Sequence, residues 1–146
     1  MSERKLRAIV KYPDEKPKET MLEDGYKTIS EICHGLIDIT TLPDDPSVTL
    51  IVNDTSLVND MRPNIVMPEC KQVLCGPIVV LGADLETGDS TSLTDEQAQK
   101  ALGYLKDNEV HHMSLEGAYR YCEVLGPLRE AEKKLEEERK QEEMEV

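Results

Sequence analysis

The segment "PIVVLGADLETGDSTSLTDEQAQKALGYL", residues 77–105, constrains this chain more than any other, because a strand, a break and a capped helix follow one another in it. "PIVVLGA" (77–83) is an apolar, β-branched run of strand length. "TDEQ" from Thr94 is a capping box: the Thr94 hydroxyl can accept the N–H three residues on, while Gln97 reaches back to the cap. Asp95 and Glu96 then sit in the positively polarised first turn. Ala98, Ala101, Leu102 and Leu105 fall on one helical face, and Leu93 can staple onto Ala98. Between the two elements, Asp84, Glu86 and Asp89 alternate as calcium ligands can, but the order of a twelve-residue calcium loop is absent. Gly88-Asp89 is a common turn pair, so the break reads as a connection rather than a metal site.

The remaining chain carries similar punctuation. "KLRAIVK" (5–11) is a strand-like run ended by Tyr12-Pro13, and residues 19–24 can return beside it as a hairpin. "TISE" predicts a helix capped by Thr28, with Ile29, Ile32, Cys33 and Leu36 on one face and Gly35 as the left-handed stop. Residues 36–42 and 47–53 are two more strand-like runs. Pro43 and Pro46 bound a connection of about four residues between them and make a β-hairpin. Residues 54–76 read as irregular, with at most one short strand near 72–75. A last helix runs from Ser114 to Leu125, and "LGP" (125–127) interrupts it. Residues 127–146 hold eight acidic and five basic side chains and only a narrow stripe of Leu128, Ala131 and Leu135. They read as a solvated helical tail, or as an arm that orders on a partner.

At 146 residues the chain fits one core. With five Tyr and neither Phe nor Trp, that core must be aliphatic, and no aromatic platform exists for stacking bases. Thirty acidic against seventeen basic residues give a net charge of −13, which repels nucleic acid and anionic lipid. No run approaches the ~20 apolar residues of a membrane span, and "MSERKLRAIVKY" lacks the apolar stretch of a secretory signal. A cytoplasmic protein with reduced thiols is expected.

Candidate chemistry is sparse. Cys70-x4-Cys75 with Cys33-His34 could assemble soft zinc ligands, but Cys33 and Cys122 lie on apolar faces and read as small core residues. His111-His112 reads as an exposed linker pair with no nucleophile elbow or phosphate loop to serve. No catalytic residue, metal ligand or cofactor is assigned. The residues left for a ligand are Asn53, Asn64 and Arg62, whose amides and guanidinium can line a pocket in the turn-rich stretch 53–76.

The order of "RAIVKYP", "ISEICHGLIDITTL", "LIVND", "RPN", "CGPIVVLG" and "SLTDEQ" resembles domain-of-unknown-function family 3846, over about residues 6–105. Gly35, Asp38, Asn53, Asn64, Gly76 and Gly82 stand where that family's motif positions fall. The chain departs from the pattern at "NDTSLVND", which lacks the usual glycine and lysine, and at Ile65, where an Arg usually follows the asparagine. The resemblance implies a bacteriophage or mobile-element setting in the bacterial cytosol, and brings no established catalytic activity.

These observations predict an α+β fold: a small, mainly antiparallel sheet packed by two or three helices, residues 1–126 forming one domain and 127–146 a charged helical extension. The expected function is non-catalytic. An acidic accessory protein would bind and modulate or inhibit a host protein with a basic surface, a defence-system protein for example. It would bind neither nucleic acid nor membrane, and the tail would offer a route to homo-oligomers. The alternative is a small-molecule protein that binds, or acts on, a nucleotide or nucleotide-derived signal through Asn53, Asn64 and Arg62.

Overall fold

The computed structural model describes residues 4–55 and 60–145. Strands β1 (Lys5–Lys11) and β2 (Lys18–Glu23) form an antiparallel hairpin with Lys5 opposite Glu23. Helix α1 (Tyr26–Cys33) follows, and then a second antiparallel hairpin of β3 (Ile37–Leu42) and β4 (Asp45–Asn53). Strands β5 (Pro63–Met67) and β6 (Gln72–Cys75) pair with each other in a separate two-stranded sheet, joined by a 3-10 turn at Pro68–Cys70. Strands β7 (Ile78–Ala83) and β8 (Ser90–Thr91), then helices α2 (Asp95–Asn108) and α3 (Leu115–Glu145), complete the chain. The main sheet runs β2-β1-β7-β4-β3, with β8 hydrogen-bonded to β7, and every pairing in it is antiparallel. The fold is α+β, as the segregation of capped helices from hairpin strands indicates.

Alternation along the strands builds the layers. Ile9, Val48, Leu50, Val52, Ile78 and Val80 point to one face, where they meet Leu93, Ala98, Ala101 and Leu105 of α2 and its approach, and Ile65, Met67 and Leu74 of the small sheet. Leu6, Ala8, Val10, Ile51, Val79 and Leu81 point to the other, under Ile29 and Cys33 of α1. The outer side of the small sheet, Val66, Val73 and Cys75, is covered by Ala118 and Cys122 of α3. A third layer lets an aromatic-poor chain hide its aliphatic side chains: β7 is buried from Ile78 to Gly82 because both of its faces are covered.

Five local expectations are corrected. Thr28 does not cap α1: the helix starts after Gly25 at φ 138°, so Thr28 is already its third residue. The Asp24 N–H bonds to the Arg4 carbonyl, so the β1–β2 hairpin ends against the helix start. The left-handed residue closing α1 is His34 (φ 64°), one before Gly35. Pro46 lies inside β4 rather than ending the connection, because pairing with β7 begins only at Val48 and no N–H is needed before it. Residues 63–67, read as irregular, form buried β5. Its continuous apolar pattern reflects cover on both sides, which no alternation reveals. Finally, α3 runs through Pro127. Packing of Ala118 and Cys122 before the proline and bonds from Arg129 after it hold the helix across the missing N–H. The capping box at Thr94 and Gln97 is fully formed, with bonds of 3.0 and 3.1 Å. Of the turn-rich stretch after Asn53, residues 56–59 lie outside the described residues.

Candidate functional site

The two candidate asparagines lie on opposite sides of the main sheet. Asn53 ends β4 on the α1 side, where its Nδ2 donates to the Cys33 carbonyl (2.8 Å), one of the carbonyls that a helix end leaves without a partner. Its Oδ1 accepts the N–H and hydroxyl of Thr55, at 2.7 and 3.0 Å. Gly35 stands against it: at φ 144° and with a Cβ position only 3.3 Å from Asn53 Nδ2, a side chain there would crowd the amide. Asn64 is fully buried between the sheets. Its Nδ2 donates to the carbonyls of Lys11 and Gly76, both at 2.8 Å, and its Oδ1 accepts from Lys11 Nζ at 2.6 Å. Gly76 (φ 77°) would set a Cβ 2.5 Å from Met61 Sδ. Each asparagine therefore spends its side chain bracing backbone where two segments cross.

Arg62 alone of the three candidates reaches solvent, 58% exposed, and it opens onto a polar chain that runs inward. Its Nη2 lies 2.8 Å from Asp14 Oδ2 and 2.9 Å from His112 Nδ1. Asp14, in the β1–β2 turn, also accepts the His112 N–H at 2.8 Å, and the rings of His111 and His112 stand 4.0 and 3.7 Å from its carboxylate. His111 Nε2 lies 3.1 Å from Glu109 Oε1, whose other oxygen is 3.8 Å from the buried Lys11 Nζ. Both Asp14 (φ 63°) and His112 (φ 52°) hold left-handed backbone, a strain paid where the turn and the α2–α3 linker are tied together. The histidines are exposed, as their sequence position suggests. What the sequence hides is Asp14, nearly a hundred positions away, to which both turn.

Charge in this chain is graded by depth. Burial pushes the Lys11 ammonium below its ordinary value, opposed by the Glu109 and Asp14 carboxylates. The His112 N–H holds the Asp14 carboxyl below the usual range against the effect of burial, with Arg62 and the two histidines adding to it. Lys11 is sealed from solvent, so it supports the joint between β1, β5 and the linker and has no access to a substrate. The cysteines offer no activated thiolate: burial pushes Cys33 and Cys75 up to about 11, and Cys70 and Cys122 also rise. Among the described residues, no three His, Cys, Asp or Glu side chains come together as a cation site. Beside Arg62 lies a shallow hollow of about 400 Å³, with Tyr12, His34 and Gly76 in its lining.

Residues 6–106 match the model of a family described as "Domain of unknown function (DUF3846)". Comparison with curated proteins and with solved structures finds no match.

Proposed function

We propose, on the premise that this chain belongs to the family described as "Domain of unknown function (DUF3846)", that it works by binding rather than by catalysis. It is read as a small acidic accessory protein of a phage or mobile element that binds and modulates or inhibits a host protein with a basic surface, a defence-system protein foremost. One observation carries this reading: five of the chain's cations are engaged by its own groups, while carboxylates, which outnumber cations thirty to seventeen, stand exposed over much of the surface. Lys11 is buried, Arg7 bridges Glu19 and Asp95, Arg62 holds Asp14, Lys100 holds Asp45, and Arg129 docks on the end of α2. Asp24, Glu31, Asp38, Asp44, Asp54, Asp84, Glu86, Asp89, Asp107 and Glu123 stand exposed. A partner bound by such a surface should be released by salt, since exposed charges are screened over about 8 Å at physiological ionic strength. Pull-down from bacterial host lysate at low and moderate salt, with identification by mass spectrometry, tests it. A basic protein retained at low salt and released at high salt is expected, and failure to retain any protein at either salt counts against the reading.

A second reading, capture of a nucleotide or nucleotide-derived signal, draws on the hollow whose lining includes Tyr12, His34 and Arg62. Saturation at 100 times the dissociation constant should stabilise the fold by about 2.7 kcal/mol. A thermal-shift screen against nucleotides that moves nothing removes this reading.

A further inference from the structure

Away from the Arg62 cluster, two hollows of about 340 Å³ each share Pro43, Asp44 and Tyr104, and so form one trough. It runs between α2 and the first turns of α3 beyond Gly126, floored by the β3–β4 turn and by Pro68. Two glycines widen it. A Cβ at Gly103 would meet nothing within 4 Å, and one at Gly126 would touch only Pro68, at 3.6 Å and beyond. The floor residues Pro43 and Pro68 offer no N–H, and the Tyr104 hydroxyl donates to the Glu69 carboxylate at 2.8 and 3.2 Å, which fixes an aromatic ring beside a negative charge.

The trough is lined by five carboxylates (Asp44, Asp45, Glu69, Asp107, Glu130) against three cations (Lys100, Arg129, Lys133). Two of those cations are committed elsewhere. Lys100 reaches Asp45 and Glu96, at 3.3 and 3.6 Å, while Arg129 donates to the Asp107 carbonyl and the Asn108 side chain at the end of α2. Asp44, Asp107 and Glu130 remain exposed along the rim. We infer that this trough is the docking groove for an extended, Lys/Arg-bearing segment of a protein partner, with the aliphatic stems on the proline and tyrosine floor and the cationic heads on the rim carboxylates. The inference rests on the acidic-binding reading and adds a place to it. At a net charge of −13, a second copy of the chain or a nucleic acid would bring the wrong sign to the groove.

The probe is a fluorescein-labelled octapeptide alternating Arg or Lys with Pro or Leu, read by anisotropy, with a glutamate counterpart as control. Gly103→Phe fills the trough from an exposed helix position where nothing stands in the way, so the variant should melt no lower than the parent. It should weaken binding of the basic peptide at least tenfold. The paired substitution Asp44→Asn and Glu69→Gln, which keeps a hydrogen-bond acceptor for Tyr104, should weaken it about fivefold or more. Asp89→Asn, the loss of one exposed charge outside the trough, should change it less than twofold. Equal effects of Asp89→Asn and Gly103→Phe, comparable binding of the glutamate peptide, or no binding of the basic peptide at low salt would overturn the groove. The lysate experiment is independent of these outcomes: a basic partner retained by the Gly103→Phe variant would leave the acidic-binding reading standing and the groove refuted.

Discussion

Replacing Asn64 with Ala should be among the most damaging single changes in this protein, and the cost can be worked from its three bonds. Two are neutral, Nδ2 to the Lys11 and Gly76 carbonyls, and contribute about 1 kcal/mol each; the third, from Lys11 Nζ to Oδ1, has a charged donor and contributes about 1.5–3 kcal/mol. The loss also leaves a buried ammonium whose ion-pair partner, Glu109, is 3.8 Å away. A total of about 4 kcal/mol follows, a large part of the 5–15 kcal/mol that a domain commonly has. At about 2–4 °C per kcal/mol, the midpoint should fall by about 8–16 °C. Lys11→Met should cost less, because it removes the desolvated charge along with the bond. The double variant Lys11→Met with Asn64→Ala should be less destabilised than the sum of the two singles by at least about 1 kcal/mol, since without the ammonium the loss of Oδ1 leaves no buried charge unmet. Urea unfolding of the four proteins, with the slope as a check on two-state behaviour, measures this. A cost for Asn64→Ala below about 1 kcal/mol at unchanged slope would mean that the asparagine is not a brace, and would return it to the pool of ligand residues.

Thr94→Ala should cost about 1 kcal/mol through loss of the capping box, whereas Thr28→Ala, at a position that caps nothing, should cost a few tenths by thermal melts. Because the folded Lys11 ammonium has a lowered pKa, the unfolded chain binds its proton more tightly. Stability should therefore rise as pH increases from the lowered folded value toward about 10.4, and Lys11→Met should flatten that rise relative to the parent. Asp14 acts in the same direction in a lower window: its folded pKa is also depressed, so its contribution is full above the ordinary carboxyl value near 3.9 and is lost as pH falls through the depressed folded value. Acid unfolding of Asp14→Asn should accordingly show a shallower slope in that window. Truncation after Lys134 should leave the melting midpoint unchanged. Truncation after Gly126 removes the bonds of Arg129 to the end of α2 and should lower the midpoint by a few degrees, which calorimetry on both forms would show.

The sequence determined the elements whose signals are local. The strand at 77–83, the capped helix from Thr94 and the two hairpins around residues 12–17 and 43–44 were legible because period, caps and prolines act within a few residues of one another. The motif positions Gly35, Asn53, Asn64 and Gly76 could be picked out, but not understood. Only the folded chain pairs them, Gly35 with Asn53 and Gly76 with Asn64, and shows that they brace backbone crossings. The same holds for β5, whose two-sided burial erases alternation, and for the run of α3 through Pro127, held from both flanks. Asp14, His111, His112, Glu109 and Lys11 meet only because the main sheet sets the β1–β2 turn beside the α2–α3 linker. Local propensity is additive along the chain and can be read from it. Which distant polar groups share a buried site depends on how the layers stack, and that is decided by the packing of every element at once.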